Sequence, residues 1–315
     1  MAKKLPRIVK DIKKYVPREI NYAKDSMISY SQFSMYKTCP HRWSLIYKDK
    51  NKVFSDSIHT VFGTAFHETF QHYLTTAYEV AGTVADKINL EEHFQLRFIE
   101  AYQKSYKANN NQHFSSAEEM REFFDDGIAI LNFVKKNRSK YFGSRGWHLV
   151  GIEIPIILTP HPQYKNVLYK GLLDLVLYNE KYNQFYILDI KTSTKGWNDQ
   201  TKKDELKQFQ LIFYKQFFAK QFNVPEDQIN IEFFIVKRKI YEHADFPIKR
   251  VQQFSPPSGK IKSNKAIKEM HSFIEDCFGL DGKPIQKEHP KNPGKHCLYC
   301  PFNETSLCDK ANILR

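Results

Sequence analysis

No run of the sequence approaches the roughly 20 consecutive apolar residues that a membrane-spanning helix needs. No G-x-x-x-x-G-K-[ST] segment is present, so the chain carries no recognisable ATP motor. Internal repeats and low-complexity blocks are also lacking. The N-terminal stretch MAKKLPRIVKDIKKYVPREI is basic but has no apolar core followed by a cleavage site. It does not read as a secretory signal, and a cytoplasmic location without membrane contact is the expectation. Cysteine is scarce, with five in 315 residues. In a reducing compartment that number points away from a disulfide framework and towards metal ligation or chance. Acidic residues are outnumbered, 35 against 48 lysines and arginines, which leaves a net charge of +13. Such a balance favours a polyanionic partner, nucleic acid first, although solvated surface lysines give the same total.

What is present is enough for a packed core. Hydrophobic residues make up 41% and aromatics 15% of the chain, a globular rather than a disordered composition. Residues 1–26 read as a basic arm on the surface, and residues 27–315 as one domain. Ser29 or Ser31 can cap a short helix ending near Cys39-Pro40. From Ser57 to Leu74, Ile58, Val61, Phe62, Ala65, Phe66, Phe70, Tyr73 and Leu74 recur at spacings of three and four, which predicts a helix. Amphipathic helices over about 90–108 and 116–137 form a helical insertion (about 76–146) closed by the turn residues Gly143-Ser144-Arg145-Gly146. Strands are expected over 148–158, 167–178, 185–191 and 231–239, with Pro155 marking an edge position or a bulge. Long helices are expected over about 199–222 and 263–278. The Pro-, Gly- and Cys-rich tail after Gly279 suits neither helix nor sheet. This order predicts an α/β fold, a small mixed sheet flanked by helices.

Asp174 and Asp189 are equidistant from the middle of Asn179-Glu180-Lys181-Tyr182-Asn183-Gln184, the link between two predicted strands. A symmetric hairpin sets them opposite each other on one face, about 5 Å apart at Cβ. Two unshielded carboxylates that close repel, and a divalent cation between them removes the conflict. Oxygen ligands suit Mg²⁺ or Mn²⁺. Lys191 shares the face of Asp189 by strand alternation and can position an attacking water or stabilise charge developing on a phosphate. An ordinary ion pair on an edge hairpin is the competing reading. On the first long helix, Gly63, His67 and Gln71 form one i, i+4 row, which offers an imidazole to the same metal and a glycine for close approach. On the later helix Gln210 and Tyr214 share a face and can contact phosphate, sugar or base, or simply pack. The run Lys237-Arg238-Lys239 is a further candidate DNA contact or a solvated strand end.

Gly63 to His67 (G-x-x-x-H), Gly171 to Asp174 (G-x-x-D), Asp189-Ile190-Lys191 (D-I-K) and Gln210 to Tyr214 (Q-x-x-x-Y), in this order, resemble the RecB-like branch of the PD-(D/E)XK nucleases over roughly Ser29 to Cys308. The resemblance implies a restriction-endonuclease-like core. It implies that His67, Asp174, Asp189 and the carbonyl of Ile190 hold one or two Mg²⁺ or Mn²⁺ ions, that Lys191 orients or activates water, and that Gln210 and Tyr214 contact DNA. Asp189 stands where many relatives carry Glu.

The Cys297-x-x-Cys300 pair with Cys308 is a metal signal of its own. Cys39, Cys297, Cys300 and Cys308 resemble the set, one cysteine before the core and three after it, that holds a [4Fe–4S] cluster in recombination helicase–nucleases and CRISPR-associated adaptation nucleases. The gap before Cys308 is two residues longer than the common pattern. Zn²⁺ on the same four thiolates, or with His41 or His296 replacing one, is the alternative, as are unliganded cysteines. Either metal would clamp the N-terminal arm to the C-terminal tail, about 290–315. Cys277 reads as a small buried residue rather than a ligand.

These readings together imply a DNA nuclease, an exonuclease on ends or single strands in recombination, repair or replication, with any helicase or recombination partner a separate protein. A non-catalytic DNA-binding protein or a structural subunit with the same fold is the alternative, and the intact Asp174, Asp189 and Lys191 speak against it.

Overall fold

The computed structural model describes residues 5–309 apart from 52, 55, 144 and 242–247. Ser144 of the expected turn, the first four residues of the arm and the last six of the tail therefore lie outside the described residues. In chain order come α1 (Arg7–Lys13), β1 (Ser26–Ile28), α2 (Tyr30–Thr38), α3 (Pro40–Trp43), α4 (Ile58–Glu79), α5 (Gly82–Ala85), α6 (Leu90–Ala108), α7 (Ala117–Lys136) and α8 (Arg138–Tyr141). Then follow β2 (Trp147–Leu158), β3 (Val167–Asn179), β4 (Gln184–Ser193), α9 (Asp199–Lys203), α10 (Glu205–Phe222), β5 (Ile229–Lys237), β6 (Val251–Phe254) and α11 (Lys260–Cys277). Among the described residues no helix is long and apolar enough to cross a membrane.

The helix ends obey local chemistry. Ser29 caps α2 by accepting from Gln32 N, Asn89 caps α6 through Glu92 N, and Ser116 caps α7 through Glu119 N. The expected helix over 199–222 is two, because Asp204 leaves helical geometry and its carboxylate caps α10 at Leu206 N and Lys207 N. Asn223, left-handed at φ 52°, ends α10 ahead of Pro225. The basic arm differs from its expectation. Val9 and Ile12, on one face of α1, are buried in the core, so apolar spacing within a lysine-rich segment docks it against the sheet.

All six strands form one mixed sheet in the order β1-β3-β4-β5-β6, with β2 antiparallel to β3. The α/β architecture agrees with the sequence, with β1 and β6 added. Among the described residues β2 pairs with β3 alone, so it is an edge strand and tolerates Pro155. Two apolar clusters cover the two faces. One joins the sheet to α1, α2, α10 and α11 through Phe33, Phe213, Phe217 and Phe273. The other joins it to α4, α6 and α7 through Phe62, Phe66, Phe70 and Phe94. Each such ring, fully buried, contributes about 1.5–3 kcal/mol, and the helical insertion is thereby part of the core.

Two features of β3 place the site. Tyr169 pairs with Leu158 of β2 and with Ile28 of β1, so β1 lies on the side of β3 away from β2. That is also the side of β4, whose pairing with β3 is confined to Leu175–Asn179. Between the two partners, residues 170–174 face a gap in the sheet. The alternation also slips at the gap. Leu173 and Ile154 face the α10 side, whereas Leu175 and Ile152, two residues along each strand, face the α4 side. Glu153 and Asp174 sit opposite each other at this slip, outside the paired register, and Glu153 takes the positive φ of 51°.

Candidate active site

The hairpin has the register that its symmetry predicts. Leu175 pairs with Leu188 and Asn179 with Gln184, and the ladder stops one step before Asp174 and Asp189. Asn179 Oδ1 accepts from Lys181 N and Tyr182 N and so fixes the turn. Where the strands part, Ile190 N–H donates to Asp174 Oδ2 at 2.7 Å instead of to a strand carbonyl. Asp189 stays in the sheet through β5, opposite Phe233.

His67, Asp174, Asp189 and Lys191 meet at this gap. His67 Nδ1 stands 3.7 Å from Asp174 Oδ2 and Lys191 Nζ 2.8 Å from Asp189 Oδ2. Asp189 is almost wholly buried, and apart from that ion pair its Oδ2 makes no hydrogen bond. Burial, then the charge of Asp189, pushes the Asp174 carboxyl well above the usual carboxylate range, against the opposing effects of Lys191 and the Ile190 N–H. His67 is pulled below an ordinary histidine, by burial first and with Lys191 adding to it, while Asp189, Glu153 and a hydrogen bond with the Ile190 backbone act the other way. The imidazole is therefore neutral at pH 7 and able to ligate. Burial also lowers Lys191, but the charge and hydrogen bond of Asp189 and the charge of Asp174 outweigh it and raise its pKa.

One residue of the site was missed in the sequence. The ligand atoms of Glu153, His67 and Asp174 lie within 4.8 Å of one another. Gln71, from the His67 row, donates to Glu153 Oε1 at 2.7 Å and to Asp174 O at 3.2 Å and ties the two strands to α4. A Cβ on Gly63 would stand 3.6 Å from Thr192 Oγ1, an ordinary contact, so the glycine is not required by space. Gly171 is different. A Cβ there would stand 2.9 Å from Tyr169 Cε1 and 3.2 Å from Tyr214 Cε1, so the glycine of G-x-x-D admits the α10 tyrosine to the site.

Gln210 Nε2 donates to Tyr214 Oη at 3.2 Å. Tyr214 is buried, and burial followed by the charge of Asp189 raises its pKa. It packs beside the carboxylates, while the half-buried Gln210 holds its hydroxyl. The run Lys237-Arg238-Lys239 is largely committed elsewhere. Arg238 Nη1 pairs with Asp126 at 2.8 Å above the Phe123 ring, and Lys239 Nζ with Glu122 at 2.9 Å. Two of its three charges lock the insertion to β5.

Cys39, Cys297, Cys300 and Cys308 line one cavity of about 200 Å³, together with Arg42 and His296. All four are free thiols. Arg42 Nε and His296 Nε2 are buried there without an acceptor. Sulfur-rich anionic groups accept such donors, so the residues fit a thiolate-bound metal.

Carboxylates, a neutral histidine and an ion-paired lysine at a break in a mixed sheet define the class of metal-dependent nucleases. A model of the PD-(D/E)XK nuclease superfamily matches residues 27–308, and the chain belongs to that superfamily. Its members generally use divalent metals to cut nucleic acid. No curated protein matches the chain.

The charge conflict makes a prediction. A carboxyl whose folded pKa is raised costs stability above that pKa and ceases to cost it as the pH falls through it. In chelator at pH 8, Asp174→Asn should therefore be more stable than the parent by about 1 kcal/mol, and the difference should shrink towards pH 5. Mn²⁺ should raise the melting temperature of the parent and leave the variant unmoved. Thermal melts at the two pH values check both, and a variant less stable than the parent in chelator would refute the conflict.

Proposed function

We propose that the chain is a Mg²⁺- or Mn²⁺-dependent deoxyribonuclease acting from free ends or on single strands in recombination, repair or replication, with a helicase supplied by another protein. The observation that carries this reading is the meeting of His67, Glu153, Asp174, Asp189 and Lys191 at the sheet gap. His67, Asp174, Asp189 and the Ile190 carbonyl are the proposed ligands, and Glu153 joins them. The buried Asp189 carboxylate, charge-paired with Lys191, fits this role. When bound, the cation supplies Lewis-acid polarisation of the phosphate and makes water a nucleophile near neutral pH. Lys191, held as the cation by Asp189, donates to a phosphate oxygen as negative charge develops. Gln210, with Tyr214 behind it, positions DNA beside the carboxylates. The same reading assigns a [4Fe–4S] cluster to Cys39, Cys297, Cys300 and Cys308, with Zn²⁺ as the alternative occupant.

Purified protein with Mn²⁺ and labelled DNA tests the activity. Linear single strands should be degraded from an end while circular ones persist, and equal cutting of both would make the enzyme an endonuclease. Binding, measured in Ca²⁺ or with Lys191→Ala, should weaken steeply with salt because the net charge of +13 implies counterion release. Neutralising about four phosphates predicts roughly a 100-fold loss between 50 and 200 mM salt. A flat titration would remove the electrostatic part of the argument.

A further inference from the structure

Beside the four-cysteine cavity but outside its lining, the C-terminal end of α11 meets the chain that returns towards the cysteine tail. Asp276 and Cys277 close the helix, and His289 packs against them. One donor atom from each lies within 4.8 Å of the other two. Cys277 is fully buried, and the His289 side chain has no exposed surface. Neither ring nitrogen of His289 makes a hydrogen bond, and Nδ1 stands 3.6 Å from Asp276 Oδ2. The ring lies among aromatic neighbours, 5.2 Å from Trp43 and 6.4 Å from Tyr36 between centroids. A buried imidazole with no partner on either nitrogen is costly to keep, because water would satisfy both.

Asp276 is held in place from outside the cluster. Its Oδ1 accepts from Lys287 Nζ at 2.5 Å and its Oδ2 from Tyr36 Oη at 2.8 Å. Ligating carboxylates carry outer partners of this kind, which fix their orientation. The backbone is shaped to return: Ile285 N donates to Cys277 O at 2.9 Å, and Phe278 and Pro284 form a bridge. One thiol, one imidazole and one carboxylate supply three of the four donors of a tetrahedral zinc, with water as the fourth. A lone thiol cannot support an iron–sulfur cluster, and the sulfur and nitrogen donors disfavour Mg²⁺.

We propose that Asp276, Cys277 and His289 form a zinc site that pins residues 278–289 to the end of α11, separate from the four-cysteine cavity. On this reading Cys277 is a ligand, and the tail is fastened once before it reaches Cys297. The site depends neither on the nuclease activity nor on which metal the four cysteines hold.

The test is a difference in metal content. Wild-type protein equilibrated with Zn²⁺ and desalted should hold about one equivalent more zinc per chain than Cys277→Ala or His289→Gln, with iron unchanged across the three. Equal zinc in wild type and a folded Cys277→Ala overturns the proposal. If both variants fail to fold, ¹¹³Cd NMR of the wild-type chain loaded with cadmium decides. A resonance in the range of a single thiolate with nitrogen and oxygen ligands is expected, distinct from any four-thiolate signal, and its absence overturns the site.

Discussion

Asp189→Ala and Lys191→Ala should each lower Mn²⁺-dependent cleavage by about 10³-fold or more, while DNA affinity stays within about threefold. The two losses have different origins, and a second measurement separates them. Asp189 is buried and its Oδ2 has Lys191 as its partner, so on the proposed reading its removal takes a ligand from the metal. Asp189→Ala should lose the stabilisation by Mn²⁺. Lys191 instead neutralises that carboxylate at 2.8 Å. Lys191→Ala removes the competing cation, so Mn²⁺ should still bind and still raise the melting temperature, in an enzyme that no longer cleaves. Full activity in either folded variant, on a labelled linear substrate, would sink the assignment of the site.

The parts of this site that were legible in the sequence are those that local rules fix. A symmetric turn sets the hairpin register, and an i, i+4 row sets His67 above Gln71. Both survive because neither depends on distant contacts. Glu153 was hidden for the opposite reason. Strand alternation assumes that every second residue shares a face, and β2 and β3 break that rule together at Glu153 and Asp174. The available signal was an acid inside an apolar run two residues before Pro155. β1 and β6, of three and four residues, are too short to carry a period and exist through pairing with distant strands. The basic run 237–239 misled similarly, since Glu122 and Asp126, more than 100 residues earlier, take up Arg238 and Lys239.

The other large effect concerns the tail. Of residues 290–309, Phe302 is the only apolar side chain that is buried, while Leu298, Tyr299 and Leu307 are 63%, 86% and 41% exposed. Burying one phenylalanine contributes about 1.5–3 kcal/mol. Ordering some 20 residues costs about 1–2 kcal/mol each in backbone entropy. Backbone and side-chain bonds to α2 and α3, such as His41 N to Pro290 O and Asn292 Nδ2 to Thr38 O, offset only part of that. On the proposed reading, metal ligation by Cys39, Cys297, Cys300 and Cys308 would offset much of the remainder, because a ligand set absent from the unfolded chain turns binding energy into folding energy. Anaerobically purified protein should be brown, with iron and sulfide each near four per chain. Cys300→Ser should lose most of that iron, melt on the order of 10 °C lower and expose the tail to protease while the rest of the domain resists. Colourless protein that loses one equivalent of zinc on Cys300→Ser would replace the cluster by zinc but keep the clamp. Iron and zinc contents unchanged by Cys300→Ser, with the variant as stable and protease-resistant as the parent, would remove it.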